Sequence, residues 1–176
     1  LDGDRVVMVD AQHTGYRRLP DPVTHRRQLV MVDGSFFLVV DRLYGATEHD
    51  IEQFWHFSDR EVTEEEDGRM RTTAVGKANL LVIPLITQGL QSELFTGWIS
   101  EKYREKKDAK TARYWYKLQT PGVLATLLYP YPAGSVPRID AEYIETGKDE
   151  FCCRVKVDGE KDYHLTVGTA GNVTLR

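Results

Sequence analysis

The stretch QHTGYRRLPDPVTHRR, Gln12 to Arg27, gathers two histidines, a tyrosine and four arginines into sixteen residues. Those residue types suit two chemistries. A His beside a Tyr can take a proton from a carbon next to a carboxylate and return one elsewhere. Guanidinium groups can grip carboxylates or sulfates with two parallel hydrogen bonds. His13 and Tyr16 are separated by Thr14 and Gly15, and a glycine there permits a bend or bulge that brings both side chains to one rim. Arg26 and Arg27 point to opposite faces of any strand they share, so at most one belongs to a common patch with His25. The plainer alternative is the decorated edge of a β-hairpin, because most His–Tyr neighbours are structural.

Other candidates are weaker. His49 and His56 are seven apart in HDIEQFWHF, so alternation sends them to opposite faces and they cannot easily share a metal. His164 has no Cys, His or carboxylate at ligand spacing and reads as structural. Basic and aromatic residues mix between Lys106 and Tyr116, a composition that can stack on sugars, although YWYKL on a strand must bury some of its rings. Cys152 and Cys153 are the only cysteines. Adjacent positions on a strand face opposite ways, which disfavours a disulfide between them, and Cys153 reads as a small core residue. The chain has no Gly-rich phosphate loop, CxxC pair, HExxH or GxSxG.

The elements that would carry these residues are strands. No long stretch keeps a helical apolar period, and β-branched and aromatic runs recur between turn signals. Gln28–Val32 and Ser35–Val40 flank Asp33-Gly34, a pair suited to a type I′ turn. Both runs are apolar on both faces, which places the hairpin centrally in a sheet. Further hairpins are predicted at Glu66-Asp67-Gly68 and at Asp158-Gly159. Strands are expected at ANLLVIPL, SELFTGW, TARYWYKL, GVLATLLYP, FCCRVKV, DYHLTV and GNVTLR. DREVTEEEDGR reads as an acidic hairpin, SEKYREKKDAKTAR as a basic loop and PYPAGSVPR as a Pro-rich strand exit. About ten to twelve strands at this spacing predict an all-β, multi-stranded antiparallel sandwich. At 176 residues, 1–176 is expected to form a single domain.

Bulk composition narrows the partners. With 41% apolar and 28% charged residues and a net charge of -4, the chain offers no global basic field for nucleic acid. No apolar run approaches the roughly 20 residues that span a bilayer. The polar start Leu1-Asp2-Gly3-Asp4, without a Met, reads as a mature product or an excised piece of something longer.

The order of the motifs resembles the heparinase II/III-like family of bacterial polysaccharide lyases. A His-x-Gly-Tyr element (His13 to Tyr16) precedes a Val-x-His-Arg-Arg strand (Val23 to Arg27). The apolar run FFLVVDRLYG and then HDIEQFWHF follow. Further on, GWISEKYREKKDAKTARYWYKLQTPGVLATLLYP matches the family's Gly-Trp, Tyr-x-x-Lys and Thr-Leu-Leu-Tyr-Pro segments. The resemblance covers roughly residues 5 to 132.

It implies a C-terminal β-sandwich domain of the super-sandwich type, partnered in the parent protein by an N-terminal α/α toroid. It implies β-elimination on an acidic, uronic-acid polysaccharide, in a periplasmic or secreted setting. The family's Gly-His-x-His and Ala-His-Asn segments do not occur here. No catalytic residue, metal ligand or cofactor is therefore assigned to these residues, while a divalent metal is possible in the intact protein. His13 is carried forward as a substrate-contacting candidate, with Tyr16 and Arg18 behind it, and His25 as a strand anchor. Thr14 stands where the family often has an acid. The chain by itself is expected to be inactive. The alternative is a non-catalytic carbohydrate-binding or structural β-sandwich module.

Overall fold

The computed structural model describes residues 5–58, 61–144 and 149–176. The polar start at Leu1 to Asp4, and Asp59-Arg60 at the head of the acidic hairpin, lie outside the described residues. Alternating or continuously apolar runs yield strands: β1 (Val6–His13), β2 (Thr24–Val32), β3 (Phe36–Tyr44), β4 (Glu48–His56), β5 (Val62–Glu64), β6 (Met70–Thr72), β7 (Asn79–Pro84), β8 (Gln91–Ile99), β9 (Lys107–Gln119), β10 (Gly122–Tyr131), β11 (Ile139–Ile144), β12 (Glu150–Val157), β13 (Lys161–Gly168) and β14 (Val173–Leu175). Only two short 3₁₀ turns, Gly15–Arg18 and Glu66–Gly68, interrupt them among the described residues. The fold is all-β and antiparallel.

The strands form three sheets. A seven-stranded sheet runs β1-β2-β3-β10-β7-β6-β5, a four-stranded sheet β11-β12-β13-β14, and a three-stranded sheet β4-β9-β8. Two apolar cores lie on opposite faces of the seven-stranded sheet. Val30, Val32, Phe36, Leu38 and Leu127 meet Phe151, Val155, Leu165 and Val167 of the four-stranded sheet. Leu43, Val82 and Leu124 meet Ala112, Tyr114 and Tyr116 of the three-stranded sheet. Burying each such side chain contributes about 1.5–3 kcal/mol. β2 and β3 are apolar on both faces because each face meets a different partner sheet.

The turns behave as their residues require. Asp33 (φ 49°) and Gly34 (φ 60°) both take the left-handed region, as a type I′ turn demands. The register that follows pairs Val32 with Phe36, and so Arg27 with Asp41. Asp158 (φ 53°) and Gly159 (φ 74°) repeat the arrangement between β12 and β13. Cys152 and Cys153 are free thiols on opposite faces of β12. Burial pushes the Cys153 thiol up to about 12, consistent with a packing role.

One expectation changes, and one strand was not anticipated. The basic stretch SEKYREKKDAKTAR is not a loop throughout: β9 already begins at Lys107, because its first residues pair with Ile99, Trp98 and Gly97 of β8. IDAEYI, whose charges mask its alternation, forms β11 at the edge of the four-stranded sheet.

Leu38 is wholly buried between the seven- and four-stranded sheets. Leu38→Ala is expected to cost about 2–5 kcal/mol, read as a lowered midpoint with an unchanged slope in urea unfolding.

Candidate functional site

One face of the seven-stranded sheet carries the opening cluster. Cross-strand registers align His13, His25 and Leu43 in one row, and Ala11, Arg27, Asp41 and Leu124 in the next. Alternation therefore sends His25 and Arg27 to this face, with Asp41 beside them. Arg26, between the two, turns to the other side.

Asp41 is the centre. Its side chain is 5% exposed, and its carboxylate accepts four hydrogen bonds. His25 Nε2 donates to Oδ1 at 2.6 Å, and Arg27 donates from Nε to Oδ1 at 2.7 Å and from Nη2 to Oδ2 at 2.9 Å. Gln53 Nε2, reaching in from β4, donates to Oδ2 at 2.9 Å. Burial alone would raise the carboxyl. The hydrogen bonds from His25 and Arg27, together with the Arg27 charge, outweigh it and hold Asp41 below the usual carboxylate range. Gln53 Oε1 in turn accepts from Thr126 of β10 at 3.1 Å and from the Trp55 indole at 3.2 Å. The cluster thus ties the three-stranded sheet to the seven-stranded one.

His13 extends the cluster to the rim. The Gly15 amide donates to His13 Nδ1 at 3.2 Å, which leaves the ring proton on Nε2. That nitrogen stands 3.2 Å from His25 Nδ1, and His25 carries its own proton on Nε2 toward Asp41. The three side chains form one directed chain of hydrogen bonds. The Tyr16 ring lies 5.1 Å from that of His13, tilted by 58°. A Cβ at Gly15 would sit 3.3 Å from His13 Nδ1, a tight approach that the imidazole would have to relieve by shifting.

Beside this chain opens a cavity of about 520 Å³, lined by Tyr16, Leu19, His25 and Arg27 on one side and by His49 to Phe54 of β4 on the other. His49 faces inward, its Nε2 3.3 Å from Asp21 Oδ2 but not aligned for a hydrogen bond. His56 faces outward, near the Thr111 hydroxyl at 3.2 Å, so the two histidines are separated as the spacing predicts.

Of the three candidate contacts, His13 and Tyr16 come together; Tyr16 lines the cavity, while His13 stands behind it, against His25. Arg18 sits on the same 3₁₀ turn, exposed, and its side chain makes no hydrogen bond or ion pair among the described residues. His25 does more than anchor a strand. Of the two arginines, Arg27 alone shares the patch with His25, as alternation requires, whereas Asp41 and Gln53 escape sequence reasoning, although the Asp33-Gly34 turn and its register signal the Arg27–Asp41 pair. Among the described residues no group of three His, Cys, Asp or Glu is placed to hold a metal ion. The ring nitrogens of His13 and His25 are committed to one another, to the Gly15 amide and to Asp41.

On the opposite face, Arg26 binds Asp10 with two bonds of 2.8 and 2.6 Å and donates to the Thr169 carbonyl at 2.8 Å. Gln28 and Arg42, both buried, bond to each other and to the Gly168 and Val167 carbonyls. This second cluster fastens the four-stranded sheet. Burial pulls the Arg42 guanidinium below its ordinary value.

Asp41→Asn is expected to cost about 2–3 kcal/mol, because charged hydrogen bonds to a buried carboxylate are lost. A carboxyl held low by folding adds stability that is present above the unfolded value, about pH 4, and is lost as pH falls through the folded value. Acid unfolding monitored by circular dichroism should therefore be shallower below about pH 4 in Asp41→Asn than in the parent chain.

Comparison with known proteins agrees with this architecture. The heparan sulfate lyase HepC from Pedobacter heparinus superposes with a TM-score of 0.80 at 18% identity, covering 94% of this chain and 26% of that one. The heparinase III BT4657 gene product gives 0.80 at 20% identity, with the same coverage. A heparinase III crystal structure gives 0.74 at 18%. This chain thus spans about a quarter of the length of those proteins. No curated protein matches it. The family description "Heparinase II/III-like, C-terminal" matches residues 2–156, most of the sequence. The chain belongs to the heparinase II/III-like C-terminal family.

Proposed function

We propose that this chain is a single β-sandwich domain serving a polysaccharide lyase that cleaves uronic-acid polysaccharides by β-elimination. In that reaction a proton leaves C5 of the uronate and the C4–O4 bond breaks. The electrons of the C5–H bond form the C4=C5 double bond, and the departing O4 takes up a proton. The observation that carries the reading is the family match over residues 2–156. The exposed pair His13 and Tyr16, with Tyr16 lining the cavity, supports a contact with the polysaccharide there. Arg27 is already committed to Asp41, so gripping the uronate carboxylate falls to other groups.

An N-terminal α/α toroid, and any divalent metal of the intact protein, belong to parts of the parent outside these residues. The family setting is periplasmic or secreted. No described helix is long and apolar enough to cross a membrane, which says nothing of a β-barrel. The chain alone is expected to lack elimination activity. Incubation with heparan sulfate, hyaluronan or alginate should give no ultraviolet absorbance from an unsaturated uronate, and a time-dependent rise would refute the division of labour.

A second reading, non-catalytic carbohydrate binding, is favoured by one observation. Trp98 is 56% exposed beneath the Lys106 ammonium, 4.5 Å from its ring centre, and Tyr103, five residues on in sequence, is exposed as well. Stacking on a sugar would use such a ring. If it operates, Trp98→Ala and Tyr103→Ala each weaken glycan retention in affinity electrophoresis, while His13→Ala leaves it unchanged.

A further inference from the structure

The hydrogen-bond chain Gly15–His13–His25–Asp41 has a consequence for protonation that follows from counting nitrogens. The two imidazoles have four. One proton lies between them, and one lies between His25 Nε2 and Asp41. The carboxylate already accepts four donors, so a further proton cannot enter there without expelling one of them. The single remaining acceptor is His13 Nδ1, and the Gly15 amide occupies it. Wherever the positive charge resides in the pair, the added proton sits on His13 Nδ1, where it opposes the Gly15 N–H.

We infer that His13, His25 and Asp41 act as one proton-accepting unit, and that proton uptake at His13 Nδ1 releases the 3₁₀ turn Gly15–Arg18 from the sheet. The turn is suited to release. It has no side-chain N-cap and no buried residue, and the backbone hydrogen bonds at its two ends, Arg17 N–H to the Thr14 carbonyl and Leu19 N–H to that of Tyr16, stay within the turn and its flanks. Tyr16 and Leu19 both line the cavity, so letting go of the turn alters the cavity mouth. The unit is thus a latch on that cavity, and it operates whether or not a sugar is the occupant.

The surrounding charges set its balance. Arg27 on β2 and Asp41 on β3 neutralise one another beneath the pair. Arg17, Arg18 and Tyr16 ride on the turn itself. His49 and Asp50 of β4 line the far wall of the cavity, and Asp21 lies against His49. Arg17 and Arg18 favour release once His13 is charged, because the turn then carries like charge away from it.

The test uses the chain labelled with ¹⁵N and follows histidine ring nitrogens and the Gly15 amide between about pH 8 and pH 5, where imidazoles change charge. At the alkaline end both rings should carry their proton on Nε2. On acidification His13 Nδ1 should become protonated, and the protection factor of the Gly15 amide, corrected for intrinsic exchange, should fall on the order of tenfold. Val30 and Leu38 amides serve as the control for the fold. In His13→Gln, which cannot titrate and lies on the exposed rim, Gly15 protection should be the same at both ends. A Gly15 amide that keeps its protection while His13 titrates overturns the latch. A response that survives in His13→Gln, or a His25 found with Nδ1 protonated while His13 Nδ1 stays bare, does so equally.

Discussion

The buried carboxylate of Asp41 is the constraint around which this face of the molecule is arranged. A desolvated charge is tolerated only when its lone pairs are filled and its charge is answered. Here each oxygen takes two donors, and those donors come from β2 and from β4. Meeting that requirement brings one sheet onto another at a fixed separation and offset. Apolar packing between Leu43, Leu124, Tyr114 and Tyr116 supplies most of the adhesion, but it is non-directional. The carboxylate supplies the direction.

The molecule applies the same solution twice, on the two faces of one sheet. Arg26, Gln28 and Arg42 bond to carbonyls at the end of β13 just as Arg27, His25 and Gln53 converge on Asp41. Each polar cluster lies at the same end of β2 and β3, next to an apolar core on its own side. The central sheet is thus held by oil along its length and by charge at one end. The charged end is also where the cavity opens, so the groups available for chemistry are those whose positions are most firmly determined.

Much of the fold was legible in the residues. Asp33-Gly34 and Asp158-Gly159 announce their hairpins because consecutive left-handed residues have few other uses. Apolar runs on both faces of β2 and β3 announce a sheet covered on both sides. The start of β9 and the whole of β11 were not legible. Their charged residues look like loop until a neighbouring strand supplies the pairing that makes them extended. For the site, His13 and Tyr16 could be singled out by type and spacing. Asp41 could not, since it sits in an apolar run and its meaning depends on Gln53, which arrives from another sheet. Arg18 carried the right chemistry with nothing in the structure to direct it.

Arg26 and Arg27 are adjacent, yet each is bound to a different carboxylate on a different face of the sheet. A slip of β2 by one residue against its neighbours would exchange their sides and carry His25 and Gln28 with them. Each guanidinium would then face a partner set built for the other, and Asp41 would be stranded without its fork. Apolar residues on both faces of β2 would barely object to such a slip. The arginine pair therefore makes the alignment of β2 a matter of charge as well as shape, independent of whatever the cavity holds.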